Sequence, residues 1–389
     1  MGSAAGRILR ENGMRGYCEL RARCAELFFS AMEKGGRMQK RKLASVQYVH
    51  DITPIEGADM IETAHVLGWQ CVVKKGEFKV GDLGVYFEID SFLPIRPEFE
   101  FLRGSSYKKT ALMGEGFRLK TKRMRGQLSQ GLLLPLSILP PEGEWKVGDD
   151  VTDVLGVRKF EVEERVSTSG TIKGNIPYDI PKTDELRIQS FPELLDEMTG
   201  RPYYITTKMD GMSVTMYYVD GEFGVCSRNW EYKDDEKSAA WKFAHENNLP
   251  EKFAKFSSEN QIDRFVLQGE FCAPGIQKNP LKLTKPEWYV FNMLDWDSDK
   301  LKWMPCGMDE IVDITKILGV KMVPIEEFDD DFNYKSVDEI LERAKGKYES
   351  GKQKEGIVVR PLEPTYSPIT GGRLSFKAIN NDYLLKGGN

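Results

Sequence analysis

Between residues 41 and 160, short apolar runs alternate with polar turns: LASVQYV, IETAHVLG, WQCVVKKG, LGVYFEI, GFRLKTK and QGLLLPL, punctuated by Gly57, Gly76, Gly81 and Pro94. Runs this short, bounded by turn residues, predict an all-β module. Two phrases within it echo each other, GEFKVGDLGVYF and GEWKVGDDVTDV, each with a Lys-Val-Gly-Asp turn leading into a strand. Such spacing suits a small barrel. Residues 161–182 are polar, contain Gly, Pro and Ser and lack a period, so a linker is expected there. From 183 onward the pattern is mixed. Ser190 with Glu193, and Ser336 with Glu339, have capping-box spacing, and Gly200 and Gly319 stand where helices would stop. Strands are predicted at 203–207, 212–219, 223–228, 264–272, 288–295, 355–362 and 373–379, with Asp220-Gly221 joining two of them as a tight hairpin. Strands joined in sequence by tight turns pair antiparallel. The expected fold class is α+β: a β-barrel module at 41–160, then antiparallel sheets flanked by helices at 183–389. The arginine-rich stretch 1–40 reads as a helical extension, and its acids Glu11, Glu19, Glu26 and Glu33 set it apart from a transit peptide.

Composition narrows this picture. With 389 residues, 40% hydrophobic and 30% charged, the chain should form two or three soluble domains. No apolar run reaches about 18 residues, so no membrane-spanning helix is expected. The six cysteines (18, 24, 71, 226, 272 and 306) form no CxxC pair. They read as reduced thiols of an intracellular, cytoplasmic protein, with organellar import left open. The histidines His50, His65 and His245 lie at no zinc-ligand spacing, which argues against a His-based triad or a zinc hydrolase. A net charge of −5 speaks against generic nucleic-acid binding, but residues 117–130, FRLKTKRMRGQLSQ, carry Arg118, Lys120, Lys122, Arg123 and Arg125 with no acid. On one strand, Arg118, Lys120 and Lys122 would share a face. That face reads either as a solvated surface or as the nucleic-acid side of an OB-like β-barrel.

The stretch TTKMDG at 206–211 raises the question of chemistry. Asp-Gly is itself a turn signal, and taken alone the stretch reads as a hairpin tip with a bystander lysine. Further charged residues interrupt apolar strands downstream: Arg228 in SRNWE, Glu270 in LQGEF, Glu355 in EGIVVR and Lys377 in RLSFK, with Phe291 inside WYVFNM. Each alone has an ordinary structural explanation as a strand cap, a surface pair, a core ring or a snorkelling lysine.

In this order, KMDG, SRNWE, LQGEF, WYVFNM, EGIVVR and RLSFK resemble the motif series of the covalent nucleotidyltransferases, the superfamily of polynucleotide ligases and mRNA-capping enzymes. The resemblance implies a ligase-type adenylyltransferase domain. It makes Lys208 the nucleophile that takes AMP from ATP, with Lys377 on the α-phosphate. Glu270 would accept the ribose hydroxyls, Phe291 would stack on adenine, and Arg228 would contact ribose or phosphate. Asp210 and Glu355 would hold the waters of Mg²⁺ or Mn²⁺. One position departs from the pattern. The last motif of many relatives has two lysines one residue apart, whereas here Ser375 replaces the first; Lys386 in YLLKGG is a candidate to compensate.

DNA ligases and capping enzymes carry an OB domain after the last motif. This chain ends twelve residues past Lys377, and its β module comes first. That order is similar to the Deinococcus- and Naegleria-type RNA ligases, over about 40–389. The resemblance implies sealing of 3′-OH/5′-phosphate ends at nicks in duplex RNA or RNA/DNA hybrids, as in RNA repair, with no obligate protein partner. The rivals are a DNA or broad-specificity ligase, a GTP-using capping-type enzyme, and an inactive nucleic-acid-binding relative. On this reading, removing residues 1–160 should leave lysine adenylylation largely intact and weaken sealing.

Overall fold

The computed structural model describes residues 41–161 and 170–386. The predicted 1–40 helix lies outside the described residues. The N-terminal module consists of short antiparallel sheets. One contains Ala44–Tyr48, Leu83–Phe87 and Leu132–Pro135; another contains Arg158–Lys159, Ser91–Leu93, Gly114–Arg118 and Tyr107–Thr110. Both supply side chains to one core, including Val46, Val85, Phe87, Leu93, Phe117 and Val157. The two echoing turns are the same structure. In each, the Asp carboxylate accepts the Lys N–H (Asp82 from Lys79 at 2.8 Å, Asp149 from Lys146 at 2.7 Å). Gly81 and Gly148 occupy the left-handed region there (φ 92° and 89°), which glycine adopts without steric cost.

The second domain is built on two sheets. The smaller orders Leu186–Arg187, Phe376–Ile379, Gly356–Pro361, Tyr203–Lys208 and Ile325–Asp329. Its back packs on helices Leu194–Met198 and Val337–Arg343 through Ile205, Ile357, Val359 and Phe376. The larger sheet runs Ile172–Asn175, Trp230–Tyr232, Glu222–Cys226, Met212–Val219, Arg264–Cys272, Glu287–Asp297 and Lys302–Pro305. Helices Ala239–Glu246, Leu249–Asn260 and Met308–Leu318 cover one of its faces. The seven strands predicted from sequence are all present. Asp220-Gly221 forms the expected hairpin, with both residues at positive φ, and Gly319 stops its helix at φ 69°.

Three local expectations are corrected. Part of the segment read as linker, Ile172–Asn175, is an edge strand of the large sheet. Ser190 caps no helix; its hydroxyl donates to Glu88 of the barrel at 2.5 Å, while Ser336 does cap the helix at Val337. TTKMDG is no hairpin tip either. Tyr203–Lys208 lies in the small sheet and Met212–Val219 in the large one, so the stretch carries the chain between sheets.

The barrel is docked tightly against the second domain. Asp90 accepts hydrogen bonds from Arg118 of the barrel (3.2 Å) and Arg187 of the second domain (3.3 Å). Gly68 N–H donates to the Gln189 carbonyl at 2.8 Å. Ile379 and Leu384, from the last strand and the C-terminal helix Asn381–Leu385, are buried in a barrel cluster with Val66, Trp69 and Tyr86. Among the described residues no helix is long and apolar enough to cross a membrane. A Cβ on Gly68 would lie 2.8 Å from Gln189 Cα, closer than atoms tolerate. Gly68→Ala should therefore lower stability by about 1–3 kcal/mol through overpacking at the domain contact, as measured by chemical denaturation.

Candidate active site

The site lies where the two sheets face each other. Register explains its assembly. Lys208 is the last residue of its strand and pairs with Gly356, which places it beside Glu355. Its Nζ donates to Glu355 Oε2 at 2.8 Å. Thr206 and Lys377 flank Val358 two rows on, and side chains two residues apart share a face, so Lys377 points to the same cleft. Gly356 is required by space, because a Cβ would sit 2.1 Å from the Ala378 carbonyl oxygen.

From the large sheet, Glu270 Oε1 accepts the Gly211 N–H at 3.0 Å. Gly211 is likewise glycine for lack of room: a Cβ would meet Phe271 O at 2.6 Å and Cys272 Sγ at 2.7 Å. Phe291 enters the cleft through a bulge. Gln268 pairs with Asn292 and Gly269 with Val290, so Phe291 is the unpaired extra residue. Bulges of this kind re-aim a side chain next to a site. Arg360 lies 5.9 Å from the Phe291 ring centroid and donates to the Phe291 carbonyl.

Three carboxylates therefore surround one lysine. Burial works to lower the Lys208 pKa, but Glu355, Glu270 and Asp210 outweigh it and the value is raised. The lysine is held as an ammonium. Burial and the neighbouring Glu355 push Asp210 up to about 6. Burial also raises Glu270, to about 7, with Lys208 opposing. Across the cleft, burial first and then Lys208, Arg187 and Arg41 push Lys377 down to about 7.

The structure thus brings together Lys208, Asp210, Glu270, Phe291, Glu355 and Lys377. Arg228 stands at the rim, its guanidinium donating to both oxygens of Asp184. Ser375 leaves no gap: it is buried, and its hydroxyl accepts from Arg360 Nε at 3.3 Å. Lys386 is exposed at the end of the last helix.

The basic run does not form one face. Its strand ends at Arg118, and Lys122–Met124 turns into a separate hairpin with Gln127–Ser129. Arg118, expected on the basic face, is instead buried against Asp90 and stacks on Phe160 at 4.2 Å. Lys122 is half-buried and donates to Ser106 Oγ at 3.1 Å, while Lys120, Arg123 and Arg125 are exposed.

Sequence reasoning missed several residues. Glu185 is held below the usual carboxylate range: burial opposes this, but Arg360 and Ser375 prevail. Arg187, buried between the domains, has an NH1 without a hydrogen-bond partner. Nothing local in D-E-L-R at 184–187 marks these roles, because the partners Arg360 and Asp90 lie far away in sequence. Arg187 and Arg41 both act electrostatically on Lys377. Arg41, of the barrel, is thus part of the electrostatic surroundings of Lys377.

A carboxyl whose folded pKa lies above its unfolded value binds extra protons in the native state, so stability falls as pH rises through that window. For Glu270 the window runs from about 4.5 to about 7. Glu270→Gln should raise the thermal midpoint at pH 8, on the order of 2 kcal/mol of stability, and leave it near wild type at pH 4, read by calorimetry at both pH values.

Comparison with known proteins agrees with this geometry. Residues 43–136 match a family model described as an OB-fold domain, and residues 201–379 match one described as RNA ligase. No curated protein sequence matches. Among solved structures, Naegleria gruberi RNA ligase with PPi is 38% identical, with a TM-score of 0.79, covering 90% of this chain and 99% of that one. A mutant of that ligase with ATP and Mn reaches 38% and 0.79, covering 90% and 100%. Another mutant with AMP and Mn reaches 38% and 0.78, covering 88% and 98%. With an OB-fold module ahead of a ligase domain and this identity across nearly the whole length, the chain belongs to the RNA ligase family.

Proposed function

We propose that this protein is an ATP-dependent RNA ligase that seals 3′-OH/5′-phosphate ends at nicks in duplex RNA or RNA/DNA hybrids, through a lysyl-AMP on Lys208. The observation that carries the reading is the Lys208 ammonium, ion-paired with Glu355 at the crossing between two sheets. The Naegleria structures with ATP or AMP and Mn support the choice of nucleotide and of a divalent ion.

In the first step Lys208 Nζ, after losing its proton, attacks the α-phosphorus of ATP. A phosphorus–nitrogen bond forms and the bond to pyrophosphate breaks. Lys377 would face an α-phosphate oxygen, and an anion there would draw a proton back onto its depressed amine. Glu270 keeps one carboxylate oxygen beyond its Gly211 bond for the ribose hydroxyls. Phe291 would stack on adenine, and Arg228, exchanging Asp184 for the ligand, would contact ribose or phosphate. An oxygen of the RNA 5′-phosphate then attacks the AMP phosphorus, the phosphorus–nitrogen bond breaks, and the Lys208 amine is regenerated. The 3′-hydroxyl attacks the phosphorus of that 5′-phosphate and AMP leaves.

The donors fit a hard cation. Among the described residues no three His, Cys, Asp or Glu side chains form a cage. Asp210 and Glu355 would hold Mg²⁺ or Mn²⁺ through its waters, the mode Mg²⁺ favours. Burial is the main cause of the raised pKa values of Asp210 and Glu270, and the Glu355 charge adds to it, a repulsion that such an ion would relieve. Bound there, it would neutralise phosphate charge and loosen the carboxylates' hold on the Lys208 proton.

On the barrel, Lys120, Arg123 and Arg125 would contact the duplex backbone, and Lys122 would brace their hairpin. Preference for RNA would come from 2′-hydroxyls and A-form shape beside the nick.

Three measurements test this reading. With Mg²⁺ and α-labelled ATP the protein should take up covalent label, and Lys208→Ala should abolish it; label retained on Lys208→Ala excludes the mechanism. On nicks differing only in the 3′-terminal sugar, ribose should be sealed at least tenfold faster than deoxyribose, and equal rates would favour a broad-specificity ligase. Replacing Lys120, Arg123 and Arg125 with alanine should weaken nick binding and flatten its salt dependence by about two to three units of slope.

A further inference from the structure

The chemistry proposed above, on which this inference rests, requires Lys208 and Glu355 to keep their relative placement. Their side chains meet in one ion pair, but their backbones are joined more directly. The Tyr348 hydroxyl donates to the Lys208 carbonyl at 2.9 Å and accepts the Glu355 N–H at 3.1 Å. The ladder between the two strands runs from Tyr203–Pro361 to Lys208–Gly356 and stops there. Glu355 lies one residue beyond its end. Tyr348 supplies the next rung.

The phenol is itself well fixed. Its ring is buried with Met209, Cys272 and Val323, against which Phe291 also packs. The loop that carries it is closed by Tyr348 N–H to Lys352 O at 2.8 Å and Lys354 N–H to Gly346 O at 3.1 Å. Ser350 ties the loop to the Pro280 carbonyl at 2.6 Å. Asn380 N–H donates to the Glu355 carbonyl at 2.9 Å. The Glu355 backbone is thus held on both sides, and through the phenol it is also held to Lys208. Burial pushes the Tyr348 pKa far above its ordinary value, so the hydroxyl stays a neutral donor.

We propose that Tyr348 is a positioning residue for lysine adenylylation: its hydroxyl fixes the distance between the nucleophile and the Glu355 carboxylate. It acts through both residues rather than on the nucleotide. Nucleophilic attack tolerates little misplacement, and an error of about 1 Å can cost about 100-fold in rate.

Tyr348→Phe removes the hydroxyl and keeps the ring packing. In single-turnover labelling with Mg²⁺ and α-labelled ATP, its rate at saturating ATP should fall about 10- to 100-fold. The half-saturating ATP concentration should stay within about twofold, because nucleotide contacts are untouched. Tyr203→Phe is the matched control. It removes a buried phenol hydroxyl of the same sheet, one bonded to Glu327 on the far side, and should label within about twofold of wild type. Wild-type rates for Tyr348→Phe, or equal losses in both variants, would overturn the inference alone. Absence of label on the unsubstituted protein would overturn the ligase reading and this inference together.

Discussion

The arrangement depends on one lysine held at the seam between two sheets, surrounded by more negative charge than it can balance. Lys208 meets Glu355, Glu270 and Asp210 within a partly desolvated cleft. Breaking such a pair by removing one partner leaves an uncompensated charge, which is costly in low dielectric. A cation entering the cleft would relieve this tension. The carboxyls with raised pKa values and the lysine with a lowered one are two sides of the same frustration.

Local backbone devices hold this charge cluster open. Gly211 and Gly356 let strands and side chains approach where a single Cβ would collide. A bulge turns Phe291 toward the cleft. A second bulge frees Glu326, whose carboxylate accepts from Thr207 at 2.7 Å and from the buried Lys354 at 2.7 and 2.6 Å. Thr207 precedes Lys208 and Lys354 precedes Glu355, so this clamp adjoins both members of the Lys208–Glu355 pair. Each device breaks the regularity of a strand next to the chemistry, as functional sites commonly do.

The barrel is more than an appended binding module. Asp90 bridges Arg118 and Arg187, Glu88 receives Ser190, and the C-terminal helix buries Leu384 among barrel side chains. Arg187 in turn stands close enough to Lys377 and Glu355 to act on them electrostatically. The barrel and the cleft therefore meet through one buried, hydrogen-bonded contact.

Strand positions, the α+β class and the six residues of the central cluster were legible in the sequence. Hydrophobic runs and ordered motifs depend on near neighbours, and KMDG, EGIVVR and RLSFK each keep their key residue at the end of a strand, within it or one residue before it. The exceptions share one cause. Arg118 looked like part of a basic face because its neighbours in sequence are basic, yet its partner Asp90 is 28 residues away. Ser190 had capping-box spacing, but Glu88 claimed its hydroxyl across the domain contact. Ser375 looked like a lost charge, and only folding brought Arg360 against it. By itself, the sequence determined which residues could do the chemistry and in which strands they lie. The tertiary structure decided which charges were spent on holding domains together, how the pKa values shifted, and that a phenol 140 residues from Lys208 would join its backbone to that of Glu355. Those outcomes depend on burial and on distances between remote segments, which local sequence does not encode.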